Sequence, residues 1–291
     1  MLVGASAFVV GNDHRSRGLP CQDHVSWRTS ADGLLSTLVL CDGAGSCKCP
    51  EIGAHAICDW FPTWVVENQA DFWSLLPSEL RARVAREIGL KLETVAEEAG
   101  VRIHDLSSTF MAVVVRRISE SLNYRILHVG DGIIAGLGVD GRIVLSAPDN
   151  GEFANETVFT TSTCFEKSLR VLTGELPLGS GFVSMSDGSG ASLYLKSRQA
   201  LAPAVAEMLG WLNENDPDTV SAAIDQNLRE VMCAKTGDDC SLGLLLDRNP
   251  SRPFLVELPH PQRVDQTMTG DKKVTRKWKR RGSKKLRYSR R

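Results

Sequence analysis

The 291-residue chain is 42% hydrophobic and 24% charged, a composition typical of globular proteins. It has no run of 18 apolar residues and no basic segment ahead of its first apolar stretch, so we expect neither a membrane span nor a secretory signal. Its eight cysteines show no regular spacing, which favours reduced thiols and a cytoplasmic location.

The charge is divided unevenly along the chain. Residues 272–291 hold 12 lysines and arginines and no acidic residue. Because the whole chain has a net charge of −1, residues 1–271 carry −13. The acidic body should not attract nucleic acid by itself, whereas the basic tail could contact any polyanion. We therefore predict a folded domain at 1–250, a linker at 251–271 and a basic, disordered tail at 272–291.

The first part of the chain combines strands with helices. Residues 2–10 form a first predicted strand, and residues 35–41 are the continuous apolar run of a strand buried on both faces. Apolar residues recur at helical spacing from 52 to 66, although Pro62 argues against one unbroken helix there. Residues 76–99 favour a second helix.

The remaining elements are short strands followed by helices and one buried strand. Strands are predicted at 109–115, 124–129, 133–137, 169–173, 181–185 and 241–246, and helices at 199–213 and 217–233. This order is not a regular βαβ alternation, which disfavours a doubly wound nucleotide-binding fold. It predicts an α+β domain with helices outside the sheets.

Acidic residues stand at four places where an apolar strand meets a loop. They are Asp42, Asp131, Asp187 and the pair Asp238 and Asp239. Any one of these sites is most simply a turn, because Asp-Gly is a common turn dipeptide. Together they indicate carboxylates gathered on rigid strands, and such a cluster repels itself unless cations neutralise it. An all-oxygen set favours Mg²⁺ or Mn²⁺ over zinc.

Six short motifs, read in chain order, resemble the metal-dependent type-2C (PPM family) serine/threonine protein phosphatases. They are Pro20-Cys21-Gln22-Asp23, Leu40-Cys41-Asp42-Gly43-Ala44-Gly45-Ser46, Ser108-Thr109-Phe110, Val129-Gly130-Asp131-Gly132, Met185-Ser186-Asp187-Gly188 and Gly237-Asp238-Asp239-Cys240-Ser241-Leu242. Each motif alone is weak, and their joint order and spacing carry the resemblance, which spans roughly residues 4–247. The likeness is closer to a bacterial branch, in which a stretch similar to residues 151–157 follows the central strands.

The resemblance implies a fold and a metal site. The fold is a four-layer α-β-β-α sandwich of two antiparallel sheets flanked by helices. The site holds two divalent metal ions, Mg²⁺ or Mn²⁺, with a possible third and weaker site. By resemblance the metal residues are Asp42 as the bridge, Gly43 through its carbonyl, Asp187 and Asp238 on one metal, Asp23 through water, and Asp131 with Asp187 at the third site.

The resemblance also implies direct hydrolysis of phosphoserine and phosphothreonine in proteins. A water between the two metals would attack phosphorus in line, so no nucleophilic cysteine is required. The partners would be a phosphorylated protein substrate and a cognate Ser/Thr kinase, and we expect a cytoplasmic monomer.

Three positions depart from the family pattern. Gln22 stands where many members have glutamate, and we interpret it as a neutral amide that binds metal-bound water. Ala44 replaces the histidine that is the proposed general acid of the animal enzymes. The leaving group must then take its proton from water or from another catalytic residue such as His14. Arg17 matches the family's phosphate-binding arginine only approximately, and Arg15 is a rival.

Two further sets of residues have alternative interpretations. Cys41, Cys47, Cys49 and Cys58 invite a zinc interpretation, but they lack the paired spacing of structural zinc sites. Glu152, Asn155, Glu156 and Thr157 either shape access of the substrate or form a solvated loop.

Alternative functions also remain open at this point. One is a phosphoprotein-binding regulatory module of the same fold without activity, and the presence of Asp42, Asp187 and Asp238 argues against it. Another is a nucleic-acid-associated factor docked through the basic tail, in which Trp278 and Tyr288 stand among the cations. The tail equally suits an acidic membrane surface, an acidic partner or a solvated extension.

Overall fold

The computed structural model describes residues 1–148, 157–256 and 258. The strands among these residues are β1 (Leu2–Val9), β2 (Asp23–Thr29), β3 (Leu35–Asp42), β4 (Phe110–Arg117), β5 (Ser121–Val129), β6 (Ile133–Leu137), β7 (Ile143–Ser146), β8 (Arg170–Pro177), β9 (Gly181–Met185), β10 (Tyr194–Leu195), β11 (Ala200–Leu201) and β12 (Cys240–Asp247).

Along the sequence, the helices alternate with groups of strands. They are α1 (Asn12–Ser16), α2 (Pro50–Glu67), α3 (Gln69–Ser74), α4 (Pro77–Ala99), α5 (Phe165–Ser168), α6 (Asp187–Leu193), α7 (Ala204–Glu214) and α8 (Pro217–Asn227). Short 3₁₀ turns occupy Ile103–Leu106 and Lys196–Arg198, and a π-helical turn at Leu228–Met232 continues α8. No helix in the described ranges is long and apolar enough to cross a membrane.

Two five-stranded antiparallel sheets pack face to face. The first sheet has the strand order β1-β12-β9-β6-β7, and the second has the order β2-β3-β4-β5-β8. Apolar residues such as Leu38, Leu40, Val113 and Leu245 fill the space between the sheets. Residues of α7 and α8 pack on the outer face of the first sheet, and residues of α2 and α4 pack on that of the second. The predicted four-layer α+β sandwich is therefore confirmed.

The sequence pattern of α4 explains its position on the second sheet. Its buried residues recur every three or four positions, as a helix with one apolar face requires; they are Leu80, Val84, Ile88, Leu92, Val95 and Ala96. The helix ends at Gly100, whose φ of 65° is the left-handed conformation of a typical C-terminal glycine. The predicted helix at 76–99 agrees with these bounds.

Helix α2 continues through Pro62, where the sequence argues against an unbroken helix. A proline has no N–H to donate to the carbonyl four residues earlier, which here belongs to Cys58. The hydroxyl of Ser26, on the neighbouring strand β2, donates to that carbonyl oxygen at 2.6 Å. This contact satisfies the carbonyl, and it joins α2 to the edge of the second sheet.

The structure differs from the sequence predictions in several elements. The helix expected at 199–213 begins only at Ala204, because Pro203 precedes it and residues 200–201 form β11. Strand β2 was not predicted, since its residues alternate in polarity over only seven positions. Beyond residue 250, Phe254, Val256 and Leu258 pack against the core of the first sheet. The basic tail and most of the predicted linker lie outside the described residues, so both remain predictions.

Candidate metal centre

Two aspartates face each other where β2 begins and β3 ends. These strands pair antiparallel, with Asp23 directly opposite Asp42. Residues directly opposite in such a pair point to the same face of the sheet. Leu40, two positions before Asp42, lies in the core between the sheets, so both carboxylates lie on the inter-sheet side. Asp23 is 1% exposed, whereas Asp42 is only partly buried at the end of the sandwich.

The backbone around Asp42 is held by its neighbours on β4. The amide of Asp42 donates to the Thr109 hydroxyl at 2.9 Å, and the amide of Thr109 donates to the Asp42 carbonyl at 2.7 Å. The next residue must be glycine, because a Cβ on Gly43 would stand 2.8 Å from the Gln22 carbonyl oxygen and 2.9 Å from Cβ of Pro50. No described residue donates a hydrogen bond to the Gly43 carbonyl, which leaves this oxygen available to a ligand.

The neighbouring strands β9 and β12 bring two more aspartates to the same end of the sandwich. The Ser241 amide donates to the Ser186 hydroxyl at 3.1 Å, which joins the two strand ends. Asp187 follows at the start of α6, and its Oδ1 is buried without a hydrogen-bond partner among the described residues. Asp238 precedes β12, and its Oδ1 accepts the amide of Asp239 at 2.9 Å. Both carboxylates therefore keep oxygens that no donor among the described residues occupies.

Asp131 completes the ring of carboxylates from the end of β5. It follows Gly130, whose φ of 115° is accessible to glycine and strained for other residues. The Thr157 hydroxyl donates to Asp131 Oδ2 at 3.0 Å. Thr157 is the one residue of the predicted access segment that the structure describes, and Glu152, Asn155 and Glu156 lie outside the described residues.

These strand ends enclose a pocket of about 330 Å³. Its lining residues are His14, Gln22, Asp42, Gly43, Ala44, Gly45, Thr109, Asp131, Thr157, Phe159, Asp187, Asp238 and Asp239. Six of the predicted site residues thus meet at one place, namely His14, Asp42, Gly43, Asp131, Asp187 and Asp238. Asp23 does not line the pocket and lies behind Asp42. None of the described residues that line it is a lysine or an arginine.

The carboxylates raise one another's pKa. Burial raises the pKa of Asp42 well above its usual range, and the charges of Asp23, Asp187, Asp131 and Asp238 add to the shift. The pKa of Asp23 is raised to about 8, mainly by burial and then by the charge of Asp239. Burial and the charges of Asp131 and Asp238 also raise the pKa of Asp187. The protein alone therefore opposes full ionisation of this cluster.

Divalent cations fit this set of residues. Buried oxygens without a protein donor include Asp23 Oδ2, Asp187 Oδ1 and Gln22 Oε1, and each can accept from a water or bind a cation. The donors are carboxylate, amide and carbonyl oxygens, which hard cations such as Mg²⁺ and Mn²⁺ prefer. Positive charge placed among the carboxylates would remove the repulsion that raises their pKa values.

One buried aspartate of the pocket lining has its acceptors satisfied. Asp239 Oδ1 accepts the Gly11 amide at 2.6 Å, and Oδ2 accepts the Gln22 amide at 2.6 Å and lies 2.9 Å from His14 Nδ1. We call Asp239 with these three partners the Asp239 anchor. It ties β12 to the loop after β1 and to the start of β2. The sequence pointed to Asp238 and Asp239 as one acidic site, and strand alternation is the signal that could have separated them.

The anchor places His14 against the pocket. Its imidazole contacts Asp239 through Nδ1, which leaves Nε2 as the second ring nitrogen. The side chain is 13% exposed and lines the same pocket as Asp42. His14 therefore lies beside the carboxylates with Nε2 not engaged by Asp239, and its catalytic role stays a prediction.

The predicted phosphate-binding arginine is not brought into the pocket. Arg17 ends α1, and it is exposed to solvent. Arg15 is also exposed, and its guanidinium donates to the Val10 carbonyl at 3.1 Å. His14 and Arg17 are three positions apart on one helical turn, so their side chains are neighbours on the same side of α1.

Thr109 and Phe159 are lining residues whose roles the sequence did not indicate. Thr109 acts through the backbone of Asp42, and Phe159 supplies an apolar wall. Thr109 lies in the Ser108-Thr109-Phe110 motif, to which no role was assigned, and Phe159 lies in none of the six motifs. The four cysteines considered for zinc form no group that could hold a metal ion in the described part of the chain, where His24, His55 and Asp59 form such a group.

The model of the family "Protein phosphatase 2C" matches residues 10–232 of the chain. No curated protein matches the chain in sequence. A bacterial serine phosphatase structure is 15% identical and superposes with a TM-score of 0.54, covering 86% of this chain and 99% of its own. The serine/threonine phosphatase Stp1 from Staphylococcus aureus is 16% identical with a TM-score of 0.55, covering 86% of this chain and 96% of its own.

A third structure gives a similar result. The serine/threonine phosphatase of S. agalactiae is 18% identical with a TM-score of 0.51, covering 84% of this chain and 99% of its own. Identities this low show a shared fold, while the family model covers well over half of the sequence. The chain therefore belongs to the protein phosphatase 2C family and is a metal-dependent protein phosphatase.

Proposed function

We propose that this protein removes phosphate from phosphoserine and phosphothreonine in proteins with two divalent cations, Mg²⁺ or Mn²⁺, held in the acidic pocket. One observation carries the proposal. The pocket gathers Asp42, Asp131, Asp187 and Asp238, and no lysine or arginine among the described residues lines it. A phosphate dianion is repelled by such a site unless bound cations reverse its charge.

The carboxylates would have different roles in binding the cations. Asp42 would take part in holding both ions, because the charges of Asp23, Asp187, Asp131 and Asp238 all act on its carboxylate. Asp187, Asp238 and the carbonyl of Gly43 would supply further ligands. Asp131 with Asp187 would serve the weaker third site, and Asp23 would act from behind through water.

Bound divalent cations would supply the charge that offsets the phosphoryl oxygens and would lower the pKa of water in the site. The residues of the chain itself would orient the water in the pocket and exclude bulk solvent from it. The buried Gln22 Oε1 can accept a hydrogen bond from water in the pocket. Phe159 limits the space open to solvent. No cysteine is among the lining residues, in agreement with attack by water rather than by a thiol.

His14 is the proposed proton donor for the departing serine or threonine oxygen. The contact between its Nδ1 and Asp239 Oδ2 fixes the orientation of the ring. Nε2 is then the nitrogen that gives up the proton. Ala44, at the position of the animal enzymes' histidine, cannot do so.

Arg17 is the proposed contact for the phosphoryl group of an arriving phosphoprotein. Arg17 stands one helical turn after His14, which lines the pocket, and its side chain is exposed to solvent, so its place supports this role. Arg15 is engaged by the Val10 carbonyl and is the weaker candidate. A planar guanidinium can pair with two phosphate oxygens at once.

The biological setting is proposed from the chemistry. A cognate Ser/Thr kinase would produce the substrate, and the enzyme would act as a cytoplasmic monomer. The 12 cations of residues 272–291 support contact with a polyanion, whose affinity should fall steeply with salt. Deleting these residues should remove salt-sensitive retention on heparin and leave turnover of p-nitrophenyl phosphate unchanged.

The direct test of the proposal is turnover of a phosphoserine peptide before and after metal removal. We expect EDTA to abolish turnover and added Mn²⁺ or Mg²⁺ to restore it. Undiminished turnover after complete chelation would overturn the proposed mechanism. Binding of the phosphopeptide without turnover at any metal concentration would favour the inactive regulatory module instead.

A further inference from the structure

A second group of potential metal ligands lies where β2 meets α2. It consists of His24 on β2 and of His55 and Asp59 on α2, and one ligand atom from each lies within 4.8 Å of the other two. His55 and Asp59 are four positions apart, so they occupy one face of the helix. We call these three residues the His24 cluster. It shares no residue with the acidic pocket.

The pleat of β2 separates the cluster from the pocket. Successive side chains of a strand point to opposite faces, so His24 points away from the face that carries Asp23. Its register partner is Cys41, which lies in the core beneath α2. The pocket and the cluster thus lie on the two sides of one sheet.

The distance between His24 and Asp59 is compatible with two ligands of one metal ion as well as with a hydrogen bond. His24 Nε2 and Asp59 Oδ1 are 3.3 Å apart, which is long for an N–H···O bond. Ligands about 2.0–2.1 Å from a tetrahedral ion stand about 3.3–3.4 Å from each other. The His24 and His55 ring centroids are 3.8 Å apart in a stack, so the His55 ring must turn out of the stack to direct a nitrogen lone pair at the same ion as His24.

Two rigid elements hold the ligands in place. The Ser26 hydroxyl donates to the Cys58 carbonyl at 2.6 Å, and the Cys58 thiol donates to the His24 carbonyl at 3.3 Å. Phe8 covers the cluster on one side, with its ring centroid 4.8 Å from that of His24. Asp59 is 69% exposed and leaves the other side open to solvent.

From this arrangement we infer that the His24 cluster is a zinc site, separate from the divalent-cation site of the pocket. Two imidazoles and one carboxylate are a ligand set that Zn²⁺ accepts, and a water completes four-coordination. The buried His24 Nδ1 has no partner among the described residues, so the ring lacks the supporting hydrogen bond of the tightest zinc sites. We therefore expect micromolar rather than picomolar affinity.

Calorimetric titration of Zn²⁺ into the full-length protein tests the site. Millimolar Mg²⁺ is present throughout, so that the oxygen ligands of the pocket are occupied. We expect one Zn²⁺ per chain, a Kd at least about tenfold weaker in His55→Ala, and no change in His104→Ala, an exposed histidine in a 3₁₀ turn. Asp59→Asn should also weaken binding, and it provides a second variant if His55→Ala does not fold.

The absorption spectrum of bound Co²⁺ supplies a second readout that is independent of phosphatase activity. We expect the visible bands of a four-coordinate ion in the wild type and their loss in His55→Ala. Equal Zn²⁺ affinity in wild type, His55→Ala and Asp59→Asn would overturn the inference. Failure of the wild type to bind Zn²⁺ in the presence of Mg²⁺ would overturn it equally.

Discussion

The Asp239 anchor forms part of the pocket lining, but the surroundings of its carboxylate are opposite to those of Asp42 and Asp187. In the pocket, Asp42 and Asp187 have raised pKa values, and Asp187 Oδ1 has no protein donor. In the anchor, Asp239 is 2% exposed, and both of its oxygens have partners. The adjacent residues Asp238 and Asp239 thus differ in whether both of their carboxylate oxygens have hydrogen-bond partners among the described residues.

The difference separates a carboxylate that binds a ligand from one that holds the fold. A buried carboxylate with protein donors for each oxygen contributes to stability, because its hydrogen bonds offset the cost of desolvation. A carboxylate whose oxygens lack hydrogen-bond donors, and which lies beside other carboxylates, has an uncompensated negative charge that a cation can neutralise. Substitutions in the two regions should therefore have separable effects on activity and on stability.

The largest expected effect is on catalysis, from Asp42→Asn. The substitution removes the central charge of the pocket, and we expect kcat to fall by a factor on the order of 10³. The free energy of unfolding of the metal-free protein should not decrease, because one repelling charge is lost. Steady-state kinetics and urea denaturation measure the two quantities. Near-wild-type turnover would mean that Asp42 is only a turn residue.

His14→Ala should lower turnover of a phosphoserine peptide by roughly 10², the usual contribution of a general acid. The loss should be much smaller for p-nitrophenyl phosphate, because its leaving group departs without a proton. Comparing the two substrates in one variant separates proton donation from a structural effect. Equal losses for both substrates would show that His14 only supports the loop that carries it.

Asp239→Asn should act mainly on stability. The amide that replaces one carboxylate oxygen would face backbone N–H donors, so we expect the free energy of unfolding to fall by about 3 kcal/mol. Asp238→Asn is the matched control, since its side chain faces the pocket, and it should lose activity at nearly unchanged stability. Similar urea denaturation curves for the two variants would contradict the claim that Asp239 stabilises the fold more than Asp238 does.

The smallest of these effects concerns the exposed arginines of α1. Arg17→Ala should raise KM for a phosphopeptide by about tenfold and leave Mn²⁺ binding unchanged, because only the substrate loses a partner. Arg15→Ala is the control. If Arg15→Ala raises KM and Arg17→Ala does not, the phosphate contact belongs to Arg15.

The fold could be predicted to a large extent because its strands are apolar runs. Strands β6 and β9 agree with their predicted bounds, and β3 extends only one residue further. Strand β2 was not predicted, although it carries Asp23 and His24. It is an edge strand in which buried and partly exposed residues alternate, so it lacks a continuous apolar run. The course of α2 through Pro62 depends on Ser26, a residue far away in the sequence.

The residues that line the pocket could mostly be predicted from the sequence, whereas the separate roles of the individual residues could not. Asp42, Asp131, Asp187 and Asp238 were found because each ends or precedes a strand. The separate character of Asp239 depends on the amides of Gly11 and Gln22, which the fold brings from other elements. The solvent position of Arg17 likewise follows from the end of a five-residue helix, which the sequence does not reveal.

The central claim is that the unpaired carboxylates of the pocket are a site for divalent cations. Titration of the metal-free protein with Mn²⁺, followed by the electron paramagnetic resonance of the free ion, counts bound ions directly. We predict two Mn²⁺ per chain in the wild type and loss of at least one in Asp42→Asn, with Arg15→Ala unchanged. A wild type that binds no Mn²⁺, or an Asp42→Asn variant that binds as many ions with the same affinity, would contradict the account.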